Sequence, residues 1–439
     1  MKNKHIVIFS YYFPPYGNVA SRRPYYLAKH LRKNGFKVSI VTSLFNGGQK
    51  EWDINCSNDD IYRFPVNKIP KSFNIIQTII IKMILHLSSK IGRGNEKILN
   101  TLGFFLLPLN YERRLDVEIS DLSEKLVDVD YVLATGDPWQ MLEYGKKFSK
   151  LIGKPFFVDY RDPWTLSKNS LVGARNLTFY GRGKIGRVKH WYMQRIEKKI
   201  LNSCKRAFVV SEGLADNLRR IDSKLEVVVL PNGYDDLSSS GNISYSNDIM
   251  EILFVGTLYN DQIEMFNMLC QTISELISSY SELKSNIKIK FVGNLEKYPR
   301  KVLGLVKGNS DLLEYFEFID FMPKHELNKL KQSASIYLNL GYDRTGILPV
   351  KTFEYIENGK PILVVSKYRN IMEHEIDQLN AGTICGNVDE LMNFILSSFE
   401  NWKIKALQSP KYNLNYLKSY SFESIIDKLI NELENSDHE

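Results

Sequence analysis

Several residue patterns are missing from this chain, and each absence narrows what it does. Cysteine is scarce: Cys56, Cys204, Cys270 and Cys385 are the only four in 439 residues. None stands in a CxxC pair or at zinc-ligand spacing from a histidine, which excludes a zinc module and a disulfide framework and fits a reducing cytoplasm. Long apolar runs are missing too. The richest stretch, residues 73–87, is interrupted by Asn74, Gln77, Thr78, Lys82 and His86, short of the roughly 18 apolar residues that a membrane span needs. The N-terminus, Met1-Lys-Asn-Lys-His5, leads straight into Ile6-Val-Ile-Phe9 without the apolar core of a signal peptide. Histidine is sparse, and none of the seven stands at the carboxyl end of an expected strand, which speaks against proton-abstraction chemistry.

What is present is an ordinary globular balance, 44% hydrophobic and 25% charged, in a length that suits about two to three domains. The formal charge of +8 is unevenly placed: between Arg182 and Arg206 nine Lys/Arg stand against one acid, Glu197. Such a run suits anionic lipid headgroups, nucleic acid or a solvated helix. Apart from Trp191 and Tyr192 it lacks the interleaved aromatics of a nucleic-acid stacking platform. Residues 182–206 are therefore expected either to contact an anionic membrane at its inner face or to stand as a solvated helix, and not to bind nucleic acid.

Strand, loop and helix alternate along most of the chain. A strand over 5–10, a helix over 21–34 and a strand over 37–42 make a βαβ unit, hence a parallel sheet. Residues 45–125 show no strand alternation, and their apolar runs predict a helical excursion over about 70–125. Strands return at 130–135, 155–160, 207–210 and 226–230. They end in Gly136-Asp137-Pro138-Trp139, Arg161-Asp162-Pro163-Trp164, Ser211-Glu212 and Pro231-Asn232-Gly233-Tyr234-Asp235. Strand ends of a parallel sheet gather at one rim, where open α/β folds bind ligands. The loop after the first strand, with Gly17, Asn18 and Arg22 or Arg23, is no GxGxxG fingerprint but reaches that rim. Asp-Pro-Trp occurs twice; a Trp beside a carboxylate suits stacking on a sugar, and Asp-Pro suits a turn.

Ser and Asn dominate residues 238–247, a linker composition. The pattern then begins afresh, with strands at 251–255, 287–292, 316–319 and 335–340 and Phe-Val-Gly at both 254–256 and 291–293. A Gly directly after a buried strand leaves room for a ligand, which singles out Gly256, with Thr257, and Gly293. The fold class read from this pattern is α/β, with two Rossmann-like parallel-sheet domains facing a central cleft. Residues 1–236 form the first domain, 237–248 the linker and 249–415 the second domain. A C-terminal helix within 416–439 packs back on the first.

Residues 341–365 stand apart. A Gly-containing loop leads through Leu348, Pro349 and Val350 into a short helix with Lys351, Phe353, Glu354 and Ile356, ended by Asn358-Gly359. A helix that starts from such a loop offers free N–H groups and a positive dipole end to a phosphate. Lys351 in the first turn opposes the dipole, and an anion there would account for it. Val350, Phe353 and Ile356 form the apolar face; Lys351, Glu354, Tyr355 and Asn358 form the polar one.

The order of these motifs resembles retaining glycosyltransferases of family 4, which have the two-Rossmann-domain GT-B fold and serve surface polysaccharide synthesis. The resemblance rests on Tyr12-Phe-Pro-Pro15 with Gly17 and Arg22, on Asp159-Tyr-Arg-Asp-Pro-Trp164 and on Leu230-Pro-Asn-Gly-Tyr-Asp235. Phe254-Val-Gly256 and Pro349, Lys351, Phe353-Glu-Tyr355 and Gly359-Lys-Pro-Ile362 complete it. It implies transfer of a sugar from a nucleotide diphosphate-sugar donor to a glycan or lipid-linked acceptor, with retention and without metal or other cofactor. Lys351, Glu354, Asp137 and Asp162 are the implied catalytic set. The donor would meet Gly17, Asn18, Arg22, Asn232, Gly256, Thr257, Gly293, Leu348, Pro349, Val350, Lys351 and Glu354. Gly346 departs from the family, which carries a Glu there, and Thr257 to Gln262 contain no basic residue. The alternative readings are a non-catalytic nucleotide-sugar-binding protein of the same fold and a nucleotide-sugar 2-epimerase, which the placement of the histidines disfavours.

Overall fold

A computed structural model describes residues 4–16, 19–44, 60–66, 115–165, 183–235, 248–341, 348–368 and 371–436, with positions 76, 79, 82, 83 and 86. The chain forms two compact units: Met1–Pro231 with Phe422–Glu439, and Asn232–Ser421. Among the described residues no helix is long and apolar enough to cross a membrane. Residues 237–247 of the expected linker and the apolar stretch 99–109 lie outside the described residues.

In the first unit β1 (His5–Phe9), β2 (Lys37–Ser43), β3 (Ile61–Phe64), β4 (Tyr131–Gly136), β5 (Phe156–Tyr160), β6 (Arg206–Val209) and β7 (Val227–Val229) form one sheet. Its order is β3-β2-β1-β4-β5-β6-β7 and every pairing is parallel. Parallel strands covered on both faces carry continuous apolar runs, and all five residues of β1 are buried. Helix α1 (Val19–Lys33) follows β1, α2 (Gln140–Ile152) follows β4, and α3 (Gly183–Leu201) precedes β6. Strand order reverses between β1 and β4, which makes their carboxyl ends a switch point.

The second unit repeats the plan with β8 (Met250–Val255), β9 (Ile287–Val292), β10 (Phe316–Ile319), β11 (Ile336–Leu340), β12 (Ile362–Val365) and β13 (Thr383–Cys385). The order β10-β9-β8-β11-β12-β13, again all parallel, puts the switch point between β8 and β11. Helix α4 (Ile263–Ser279) buries Phe266, Leu269 and Ile273 against β8 and β9. Helices α5 (Lys324–Ser333) and α6 (Val350–Glu357) precede β11 and β12. Gly359, at φ 67, ends α6 in left-handed geometry, as its sequence predicts. The last helix, α7 (Phe422–Asn435), belongs to the first unit: Phe422, Ile425, Ile426, Leu429 and Leu433 share an apolar cluster with Leu27, Ala28 and Leu31 of α1.

Three expectations need correction. Strands β3 and β13 were not anticipated from the pattern; both are short sheet edges, with mixed exposure and no clean alternation. Tyr355 does not sit on a polar face of α6. It is fully buried, stacks on Tyr337 at 4.3 Å, and its hydroxyl accepts the Val255 N–H at 3.0 Å. A phenol counts as apolar once its hydroxyl is met.

One buried ion pair spans the first unit. Arg23 of α1 donates Nη2–H to Asp159 Oδ1 at 2.8 Å and Nε–H to both carboxylate oxygens, and its remaining donors meet the carbonyls of Leu230 and Pro231. Both side chains are almost wholly buried. Asp159→Ala leaves the guanidinium buried without its counter-charge and should lower the unfolding free energy by about 3–5 kcal/mol. Urea denaturation reads this directly, and a loss below about 1 kcal/mol would mean that the pair carries little of the fold.

Candidate functional site

The carboxyl rim of the first sheet is held by a second buried arginine. Arg161, just after β5, donates Nε–H to Gly136 O at 2.8 Å, Nη2–H to Asp137 O at 2.9 Å and Nη1–H to Ala20 O at 2.5 Å. Burial lowers its pKa, against the pull of Asp162 and Asp159, but a guanidinium keeps its charge in a protein. One side chain thus ties the end of β4 to the start of α1 across the switch point. It brings Asp137, half-buried, to the same rim as Asp162, exposed. The two tryptophans of the repeated Asp-Pro-Trp stack on each other, with centroids 4.9 Å apart and planes 3° from parallel. Trp164 is 2% exposed. It is a wall of the rim and not an open platform for a sugar.

The rim of the second sheet is built from close backbone approach. A Cβ on Gly293 would lie 2.3 Å from the carbonyl oxygen of Gly256, so β8 and β9 can end this close only with glycine there. Gly256 has φ +123, with nothing within 4 Å of where its Cβ would stand, and its carbonyl accepts the Tyr298 hydroxyl at 2.8 Å. Gln262 Nε2–H reaches Leu340 O at 2.8 Å, joining the start of α4 to the end of β11. The result is an open backbone step beside the switch point.

Lys351, in the first turn of α6, reaches the end of β8 at Phe254, two residues before Gly256. Its Nζ lies 3.7 Å from the centroid of the Phe254 ring, a cation–π distance. Among the described residues no hydrogen-bond acceptor meets that ammonium. Burial lowers its pKa to about 7, with Glu354 opposing. Such a group is a cation short of an anion. One turn on, Glu354 accepts from Lys331 Nζ of α5 at 2.5 Å, and Lys331 is buried.

The expected residues fall into three groups. Gly256, Thr257, Gly293, Leu348, Pro349, Val350, Lys351 and Glu354 stand on the β8–β9 ends and the β11–α6 junction of the second unit. Asp137, Asp162 and Arg22 stand at the rim of the first, Arg22 half-buried beside the inward-turned Arg23. Asn232, half-buried, follows β7 and opens the second unit's range. Gly17, Asn18 and Gly346 lie outside the described residues. Sequence reasoning missed Lys331, the seat that the Phe254 ring gives to Lys351, and Arg161's hold on Gly136 and Asp137, since these are contacts between residues far apart in the chain.

It also missed the role of Glu197, the single acid of the basic run. Glu197 is 1% exposed on α3 and accepts the Thr165 hydroxyl, one residue beyond Trp164. Burial raises its pKa to about 7, opposed by hydrogen bonding from Thr165.

No protein-family model matches the chain, and no curated protein matches it. Solved structures do. The sucrose-phosphate synthase of Thermosynechococcus elongatus matches with a TM-score of 0.62 at 12% identity, over 99% of this chain and 99% of that one. A glycosyltransferase from Rickettsia africae gives 0.59 at 12% identity, over 99% of each chain. Anabaena HepE, in complex with UDP and glucose, gives 0.60 at 12% identity, over 98% of this chain and 100% of that one. At such identities the likeness is one of fold: two Rossmann-like domains of the GT-B kind.

The Glu197 proton has a consequence for stability. The folded protein holds it more tightly than the unfolded chain, so its contribution is full below about pH 4.5 and is lost as pH rises through about 7. Over that window the wild type should lose up to about 3 kcal/mol relative to Glu197→Gln. Urea unfolding of both proteins at stepped pH tests this; parallel curves would show that Glu197 titrates as an ordinary surface acid.

Proposed function

We propose that this protein is a glycosyltransferase that moves a sugar from a nucleotide diphosphate-sugar donor to a glycan or lipid-linked acceptor. The observation that carries the reading is the Lys351 ammonium, desolvated and without a hydrogen-bond acceptor among the described residues, at a helix start beside the open Gly256 step. The fold supports it, because several structures that share it are glycosyltransferases and one was solved with UDP and glucose.

In this reading the second unit holds the donor. Negative charge grows on the diphosphate as the glycosidic bond breaks. Lys351 and the free N–H groups at the start of α6 meet it where water is largely excluded, which makes each interaction stronger than in solution. An amine with a pKa near 7 takes up a proton as the diphosphate arrives, since an adjacent anion favours the charged form. Glu354 offers its carboxylate to the ribose hydroxyls, and Lys331 orients it. Asp137 and Asp162 of the first unit attend the acceptor. Reaction with retention, a place in surface polysaccharide synthesis at the inner face of the membrane, and independence from metal are parts of the same proposal. A non-catalytic donor-binding protein is the second reading, favoured by Gly346 standing where the resembled family carries a carboxylate.

Two measurements decide between them. Nucleotide release is followed over a panel of nucleotide sugars with membrane extract as acceptor. Lys351→Ala should lower kcat/KM by about 2–4 kcal/mol of transition-state binding, or roughly thirty- to a thousand-fold. Full turnover in that variant would sink the donor-site assignment, and tight donor binding without transfer would favour the second reading. Calorimetry of UDP binding in buffers of different ionisation enthalpy should show proton uptake above about pH 7, absent in Lys351→Met.

A further inference from the structure

Helix α3 carries two unlike faces. Inward, Met193, Glu197, Ile200 and Leu201 are buried. Outward, Ile185, Val188 and Trp191 follow one another at a spacing of three and are 60%, 50% and 52% exposed. Around them Lys184, Arg187, Arg195, Lys198 and Lys199 are exposed, and the guanidinium of Arg195 lies 4.4 Å from the centroid of the Trp191 ring. No acidic residue shares the outward face, because the helix's single acid is the buried Glu197. A surface with three large apolar side chains among five cations and no anion has no reason to face plain water. A solvated helix keeps its cations but not an exposed row of Ile, Val and Trp.

We infer that the outward face of α3 is a docking surface for an anionic lipid bilayer, with Ile185, Val188 and Trp191 entering the headgroup boundary and the cations meeting lipid phosphates. This deepens the membrane contact proposed above by naming the face that makes it. Charge complementarity selects the partner's sign, and the apolar row selects a bilayer over a nucleic acid, whose backbone would use the cations alone. Trp is suited to such a boundary by its amphipathic ring. The docked helix would also carry the acceptor rim with it. Its inner face holds Thr165 through Glu197, four positions from Arg161 in the loop that bears Asp162 and Trp164. A lipid-linked acceptor would then be offered close to the surface in which it sits.

The test uses the full chain without donor, so that it does not depend on transferase activity. Binding is measured by flotation with vesicles of phosphatidylcholine alone and of phosphatidylcholine with about one-third phosphatidylglycerol, at two salt concentrations. The expected result is binding to the anionic vesicles only, weaker at high salt. It should fall at least ten-fold both in Ile185→Ser/Val188→Ser/Trp191→Ser and in Lys184→Glu/Arg187→Glu. UDP affinity, measured alongside, should stay unchanged in these variants, which also reports that they fold. Equal binding by both vesicle types, or binding indifferent to both sets of substitutions, would overturn the inference. So would a single-stranded RNA that binds the protein and displaces it from the anionic vesicles. Failure of the wild type to release nucleotide from any sugar of the panel would count against the transferase reading and leave this one standing.

Discussion

The rim of the first unit depends on two guanidinium groups that must be met on every side. A parallel sheet brings several strand ends together, and their carbonyl groups need donors wherever loops and helices cover them. Arginine supplies five N–H groups in one plane. Arg23 reaches inward from α1 to Asp159 on β5 and to the carbonyls that follow β7. Arg161 reaches the other way, from the end of β5 to the end of β4 and the start of α1. Between them they tie four elements without any ligand. The cost is that Arg23, whose donors the fold consumes, is not on offer to one; the side chains left at this rim include the carboxylates of Asp137, half-buried, and Asp162, exposed.

The second unit makes its rim differently, by removing side chains. Gly256 and Gly293 lie so close that a methyl group on the latter would overlap the former's carbonyl. Tyr298 and Gln262 then satisfy the carbonyls of Gly256 and Leu340. A rim of bare backbone carries no full charge of its own, and the long side chain of Lys351 brings one to it. The Phe254 ring beneath offers that ammonium attraction without a hydrogen bond. A carboxylate in that position would hold the ammonium in a closed pair, as Glu354 holds Lys331. An aromatic face leaves its N–H groups unspent.

Much of this was legible beforehand. The βαβ rhythm and the strands over 287–292 and 316–319 are legible at their observed bounds, because short apolar-rich runs that stop at Gly or polar loops are local signals. Two of the four edge strands were not legible: β3 and β13 are strands by virtue of the neighbours they pair with, and no alternation betrays them. Charge partners were equally hidden. Lys331 and Glu354 are 23 positions apart and Arg23 and Asp159 are 136 apart, distances that only the packed sheet closes. Lys351 and Glu354 could be singled out, but not that one would be paired and the other left without an acceptor among the described residues. Tyr355 misled because its hydroxyl reads as polar until a backbone N–H is found for it.

The basic run shows best how sequence and structure correct each other. Nine cations and one acid in twenty-five positions suggest a strongly basic surface with slight relief. The structure removes the relief: Glu197 lies under the helix, and burial raises its pKa to about 7, so near neutrality much of it holds a proton and lends no negative charge to the outer face. A buried acid among exposed cations would be wasteful if it served as their counter-ion. It serves instead to bind α3 to Thr165 and so to the loop of Asp162. The helix is thereby anchored to the rim on its inner side while its outer side stays cationic and apolar. A helix whose only role was to cover the sheet would need the first of these faces and not the second.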